Sequence, residues 1–97
     1  MKQRFEYPAS IEPDGAGRFL VLFPDLPEAL TGGATVEEAM DEAADCLTEA
    51  IAGRLADDEA LPIPSKAARE QYVIAPRRDM AMKAARHEAL QRRTAAR

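Results

Sequence analysis

The sequence predicts a small α+β domain in which short antiparallel strands precede one long amphipathic helix. Apolar and polar residues alternate near the N-terminus, which is typical of a strand with one buried face. An apolar segment from Phe19 to Phe23 ends in a corner with two prolines, Pro24 to Pro27, which indicates a second strand and its end. Further on, apolar residues recur every three or four positions from Val36 to Leu55, which predicts a helix. A chain of 97 residues is long enough to bury a core against that helix.

The first strand is predicted from its period of two. Its apolar positions are Phe5, Tyr7, Ala9 and Ile11, and its polar positions are Arg4, Glu6, Ser10 and Glu12. Because Pro8 has no amide N–H, we expect this strand to lie at an edge of the sheet, or Pro8 to face away from a partner strand. The turn residues from Pro13 to Gly17 predict an antiparallel hairpin with the second strand, Phe19 to Phe23. Since that strand is apolar on both sides, we expect both of its faces to be buried, either within a covered sheet or under a partner.

The corner leads into a third strand. Pro24 and Pro27 favour extended backbone, so the chain turns there instead of entering a helix. The residues from Glu28 to Gly32 are long enough for one more short strand, which Gly32-Gly33 ends. Together the three strands predict an antiparallel meander.

The long helix has a clear start. Thr35 is a good N-cap, and Glu38, three residues later, completes a capping box. Asp57-Asp58 marks the expected end of the helix. Its apolar stripe consists of Val36, Met40, Ala43, Leu47, Ile51 and Leu55. The opposite face is acidic and carries Glu37, Asp41, Glu42, Asp45 and Glu49.

Three further elements follow the long helix. The segment from Leu61 to Ser65 is predicted to be extended because it contains two prolines, and Ser65 is a candidate cap for one short turn, Lys66 to Glu70. The last predicted elements are a strand from Gln71 to Ala75 and a basic helix from Asp79 to Ala96. The predicted order is β-β-β-α-β plus a basic helix, with residues 1–76 as the body and residues 77–97 as the basic C-terminal helix.

Charge is distributed unevenly along the chain, whose net charge is −4. From Met1 to Pro76 there are 6 Lys and Arg against 15 Asp and Glu, whereas from Arg77 to Arg97 there are 7 against 2. An acidic body favours a basic partner, and a basic tail favours an anionic one. The alternative is that both are simply solvated helix faces.

The composition argues against several classes of protein. The single Cys46 cannot form an internal disulfide, which fits a reducing cytoplasm. No apolar run reaches the roughly 18 residues of a membrane helix, and Met1 to Glu6 do not resemble a secretory signal, so no membrane partner is expected. One His and one Cys are too few ligands for a typical transition-metal site within this chain, so neither a metal nor a cofactor is expected.

Catalytic residues are not apparent either, and we expect a protein that is not an enzyme. Cys46 lies among Asp45 and Glu49, which raise a thiol pKa and favour a structural role. Glu6, Glu12 and Asp25 have no partner that the sequence can place, so a general acid–base pair is a weak interpretation.

The basic tail is a candidate nucleic-acid surface. Its basic residues are Arg77, Arg78, Lys83, Arg86, Arg92, Arg93 and Arg97, which are suited to phosphate contacts. However, no aromatic residue follows Tyr72 to stack on bases, and one helix is only part of a helix-turn-helix.

Three motifs resemble the HicB family of bacterial antitoxins in their order and spacing. They are Tyr7-Pro8-Ala9, the corner Phe23-Pro24-Asp25-Leu26-Pro27, and the helix start from Thr31 to Ala39, which reads T-x-G-x-T-x-E-E-A. The resemblance is close from Tyr7 to about Leu55. It implies a partial ribonuclease-H-like fold without that superfamily's metal-binding carboxylates. It also implies a partner, the small basic RNA-cleaving toxin HicA, whose active site such proteins cover.

The sequence departs from the family pattern in two places. Glu28-Ala29 stands where the family often has Gly-Cys. Met80 to Gln91 resembles the first helix of the family's DNA-binding region, but the turn and recognition helix are absent from these 97 residues. We therefore expect operator DNA as a partner only of a chain with a complete C-terminal DNA-binding domain.

The resulting hypothesis is a cytoplasmic antitoxin that binds and blocks a HicA-type toxin and, in full-length form, represses its own operon. The expected toxin-binding residues are Asp25, Leu26, Glu28, Glu37, Asp41, Asp45 and Glu49. Leu20 and Leu22 are expected at a self-association surface of a homodimer or higher oligomer. The alternatives are a stand-alone DNA-binding transcriptional regulator and a degenerate ribonuclease-H-like domain without a toxin partner.

Overall fold

A computed structural model describes residues 5–95, with side chains as far as Arg93. Arg4, Ala96 and Arg97, which the sequence predictions include, lie outside these residues. The elements are β1 (Tyr7–Pro13), β2 (Phe19–Leu22), β3 (Leu30–Gly33), α1 (Val36–Ala56), β4 (Tyr72–Ile74) and α2 (Arg78–Ala95). The strands form one antiparallel sheet in the order β3-β2-β1-β4. The α+β class is therefore confirmed.

Strand β1 is an inner strand, so the first of the two alternatives for it, an edge position, is wrong. It pairs with β4 through Tyr7 to Ala9 and with β2 through Ser10 to Pro13. At Pro8 the β2 ladder has not yet begun, so β1 has a partner on one side only. A proline is tolerated in this inner strand because only one neighbour needs ladder hydrogen bonds at that position.

The hairpin between β1 and β2 closes as predicted. The Asp14 amide donates to the Arg18 carbonyl at 2.9 Å, and Asp14 Oδ1 accepts from the amides of Ala16 and Arg18. These two amides lower the pKa of the Asp14 carboxyl. Gly15 and Gly17 both have a φ of 85°, a conformation that glycine adopts without steric cost.

Helix α1 has well-defined caps at both ends. At its start, Thr35 Oγ1 accepts from the Glu38 amide at 3.0 Å, as the capping motif predicts. At its end, the Asp58 amide donates to Leu55 and the Glu59 amide to Arg54, with Asp58 at a φ of 56°. This is a Schellman ending with an aspartate in the left-handed position that glycine usually occupies.

The core lies between α1 and one face of the sheet. Tyr7, Ala9, Val21 and Ile74 of the sheet and Ala39, Ala43, Leu47 and Ile51 of α1 are buried there. Gly33 permits the close approach of β3 to α1, because a Cβ at this position would lie 2.6 Å from the Ala39 amide nitrogen. The opposite face of the sheet carries no helix in the described part of the chain.

Helix α2 packs beside α1 and runs in the same direction. The Arg77 amide, just before α2, donates to Thr48 Oγ1 at 2.9 Å, whereas His87 contacts Asp58 beyond the end of α1. Ala84 is fully buried in this contact.

Two local predictions differ from the structure. Residues 66–70 form no helical turn capped by Ser65, because Ser65 bonds to Asp25 instead. For β2, burial of both faces within a covered sheet is wrong, because Val21 is buried whereas Leu20 and Leu22 on the other face are half-buried; burial of that face under a partner stays a prediction.

Candidate functional site

Helix α1 presents a row of carboxylates on the side opposite to the core. Because an α-helix repeats every 3.6 residues, side chains four positions apart lie on the same side. The four acidic residues expected to attract a basic partner are all exposed: Glu37, Asp41, Asp45 and Glu49. They form a negative stripe along α1.

Asp45 has a partner within the chain. Arg77 Nε donates to Asp45 Oδ1 at 2.9 Å, and Arg77 Nη2 lies 2.8 Å from the same oxygen. Arg77 also reaches the Asp41 carbonyl at 3.5 Å. The structure therefore joins a residue expected at a protein interface to one expected at nucleic acid. The pair is solvent-exposed, so it contributes little to stability and can exchange for an external partner.

The corner after β2 is fixed by contacts with distant segments. Asp25 Oδ2 accepts from the Ser65 amide at 2.8 Å, and Asp25 Oδ1 accepts from Ser65 Oγ at 2.6 Å. Arg54 of α1 donates to both carboxylate oxygens of Glu28, at 2.6 and 3.0 Å. This bidentate contact lowers the pKa of Glu28. The two acidic residues of the corner thus have structural partners.

The assignment of Leu26 to a partner-binding surface is wrong. Its side chain is 0% exposed and lies in the core, and the corner around it is held by hydrogen bonds from Leu26 to Phe23 and from Ala29 to Leu26. The place of Leu26 in the corner with Asp25 and Glu28 predicts a surface position, but the turn points its side chain inward.

The uncovered face of the sheet carries a group of apolar side chains beside Ser10 and Glu12 of β1. Leu22 lies opposite Leu30 on this face, and Val73 lies opposite Pro8. Leu30 and Val73 are 57% and 55% exposed, whereas Leu20 and Leu22 are half-buried. The two residues expected at a self-association surface therefore lie on an open apolar face.

Helix α2 presents most of its basic residues to solvent. The exposed ones are Arg78, Lys83, Arg86, Arg92 and Arg93, and Arg92 also lies 3.8 Å from Glu88. Arg97 lies outside the described residues. Among the described basic residues that the sequence singled out, Arg77 is directed onto α1.

The sequence surroundings of His87 predict a surface residue of the basic helix, but the side chain is half-buried and contacts the end of α1. Its Nε2 lies 2.8 Å from Asp58 Oδ1, and Gln91 Nε2 donates to the Asp58 carbonyl at 3.3 Å. Because His87 and Gln91 are one turn apart on α2, both reach the aspartate that ends α1. The i, i+4 spacing of these polar residues was the available signal, but it does not identify the partner.

Cys46 fits a structural role. It is half-buried on α1, and burial raises the pKa of its thiol, with a further contribution from Glu49. Among residues 5–95, no group of three or more His, Cys, Asp or Glu side chains is arranged to hold a metal ion. Within the same residues, neither helix is long and apolar enough to cross a membrane.

The chain matches a family model described as "HicB_like antitoxin of bacterial toxin-antitoxin system" over residues 6–85. It is 40% identical over 74 residues to Antitoxin HicB 1 of Photorhabdus laumondii, which covers 76% of this chain and 47% of that protein. It is 46% identical over 59 residues to Antitoxin HicB of Escherichia coli K12, which covers 61% of this chain and 43% of that protein.

A third relative, Antitoxin HicB 2 of Photorhabdus laumondii, is 45% identical over 65 residues. That alignment covers 67% of this chain and 46% of the relative, so the chain spans about half the length of the curated relatives it matches. The family match includes β1, the corner, all of α1 and the first part of α2. On this evidence the chain belongs to the HicB-like antitoxin family.

Proposed function

We propose that this chain binds a small basic HicA-type toxin and prevents RNA from reaching it. Membership of an antitoxin family supports a role in a toxin–antitoxin system. The observation that carries the proposal is the exposed acidic stripe of α1, which lies on the side of the helix away from the core. The role is one of binding, in the cytoplasm, and requires no catalytic residue.

The blocking mechanism is electrostatic and steric. A surface that binds RNA is basic, and acidic side chains placed on it compete directly with phosphates. Glu37, Asp41 and Glu49 form no ion pair within the described residues and are available for this contact. Opposite charge on the two proteins also accelerates their encounter. Asp45 becomes available to the toxin when a basic group of the toxin replaces Arg77 as its partner. Glu28 contributes at the edge of the contact and remains paired with Arg54.

Charge reversal tests this proposal. The chain and a HicA-type toxin are purified, and their affinity and the inhibition of RNA cleavage are measured. We expect Glu37→Lys with Asp41→Lys to weaken binding about tenfold or more at low salt, and less at high salt because charges are then screened. A reversal away from both α1 and the open sheet face, Glu70→Lys, should leave affinity nearly unchanged. Absence of a complex with the unaltered chain would contradict the proposal.

Two further parts of the function concern other surfaces. The open sheet face with Leu20 and Leu22 is proposed to join copies into a homodimer or higher oligomer. Analytical ultracentrifugation of Leu22→Ser beside the unaltered chain tests this part of the proposal.

The exposed basic side of α2 supports operator binding and autorepression by a chain with a complete C-terminal DNA-binding domain. A gel-shift assay of such a chain with Lys83→Gln and Arg86→Gln tests that role.

A further inference from the structure

The segment from Leu61 to Ser65, here named the arch, is attached to the domain at two points. Near its start, Tyr7 Oη donates to the Pro62 carbonyl at 2.7 Å. At its end, Ser65 is held by two hydrogen bonds to Asp25. Two prolines in the arch further restrict its backbone. The arch is therefore an ordered segment although it contains no helix or strand.

The centre of the arch presents an apolar side chain to solvent. Ile63 is 91% exposed, more than any other large apolar side chain in the described part of the chain, of which Met82 at 61% is the next. Its neighbours Pro62 and Pro64 are half-buried against the domain. A side chain displayed on fixed backbone loses little conformational entropy when a partner covers it, which is the property of an anchor residue.

The surroundings of the arch are acidic. Asp57, Asp58 and Glu59 lie just before it and are exposed, and Asp25 lies at its end. Of the nearby positive charges, Arg54 is engaged by Glu28, whereas the exposed Lys66 follows the arch directly, so acidic residues still outnumber basic ones around the arch. A second copy of this chain would bring a like-charged rim against this one, which is unfavourable in a symmetric contact. A basic protein with a small apolar pocket is complementary in both charge and shape.

We propose that Ile63 is the apolar anchor through which this chain engages its basic toxin, and that the acidic stripe of α1 guides the approach. This inference rests on the proposed function, since the toxin is the occupant. It assigns to Asp25 a positioning role, because the carboxylate holds the arch from which Ile63 projects.

Isothermal titration calorimetry with the purified toxin tests the anchor. We expect Ile63→Ser to weaken binding at least tenfold, which corresponds to about 1.4 kcal/mol. Ile63→Val should retain affinity to within about threefold because most of the apolar contact remains. Met82→Ser is the matched control, since it makes a similar change at an exposed apolar residue on α2. The thermal midpoint of the free chain should not change with Ile63→Ser.

The possible results separate the two proposals. Failure of the unaltered chain to bind the toxin overturns the proposed function. Tight binding by the unaltered chain together with equally tight binding by Ile63→Ser overturns the anchor alone. Equal losses for Ile63→Ser and Met82→Ser would also overturn it, because they would indicate a general effect of polar substitution.

Discussion

Carboxylates at the corner and at the end of α1 differ from those along α1 in what surrounds them. Asp25, Glu28 and Asp58 each accept hydrogen bonds from a residue at least 26 positions away in sequence. Glu37 and Asp41 project into solvent from a helix whose other side is in the core. The first group fixes the position of loops, and the second leaves negative charge available to a partner. In this family member, acidic composition alone therefore does not identify the binding surface.

The largest expected effect is a loss of stability on substitution of Leu26, the residue of the corner whose role is structural. Since the Leu26 side chain is 0% exposed, Leu26→Ala should destabilise the fold by about 2–5 kcal/mol through lost burial and a cavity. Urea denaturation measures this change. Leu30→Ala removes the same atoms from a side chain that is 57% exposed and should cost much less. Equal costs at the two positions would contradict the core assignment of Leu26.

The corner also illustrates which parts of the molecule were predictable from sequence. Thr35, Glu38 and the apolar stripe located α1 to within about two residues, because caps and helical periodicity are local signals. The hairpin was predictable for the same reason. The pairing of Asp25 with Ser65 is 40 residues apart in sequence and has no local signature.

The same distinction explains the errors at the sheet and on α2. Pro8 correctly indicates a position without a full set of ladder partners, but it does not reveal that β4 pairs with β1 from the other side. His87 has a visible neighbour in Glu88, whereas its actual partner Asp58 is supplied by the packing of α2 against α1. The ribonuclease-H-like detail of the fold stays a prediction.

A second prediction concerns the attachment of the arch to β1 and its dependence on pH. Burial, with a smaller contribution from the Asp25 charge, raises the pKa of Tyr7 from 10.0 to about 12. The pKa of Tyr7 is higher in the folded chain than in the unfolded chain. The protonated Tyr7 hydroxyl therefore stabilises the fold fully below about pH 10, and this stabilisation is lost as the pH rises through about 12. Without solvent screening a shift of this size corresponds to at most about 3 kcal/mol, at 1.36 kcal/mol per unit, and screening lowers that figure.

Denaturation curves between pH 8 and about pH 12 measure this loss. Tyr7→Phe should be less stable at pH 8 by about 1 kcal/mol, because the hydrogen bond to Pro62 is removed. Its stability should decline less steeply above pH 10, since the titrating hydroxyl is absent. Parallel curves for the two proteins would show that another group causes the decline.

The smallest expected effect tests the comparison between the two groups of carboxylates directly. Asp25→Ala removes both acceptors of Ser65 and should destabilise the chain by about 1–2 kcal/mol. Glu37→Ala removes the same charge from an exposed position in the first turn of α1 and should change stability by less than about 0.5 kcal/mol.

Toxin affinity distinguishes Asp25 from Glu37 further, because Glu37 is proposed to contact the toxin directly and Asp25 to act through the arch. The loss caused by Asp25→Ala should therefore largely disappear in an Ile63→Ser background, whereas the loss caused by Glu37→Ala should persist there. If both losses persisted unchanged, Asp25 would contact the toxin itself, and the two groups of carboxylates would share one role.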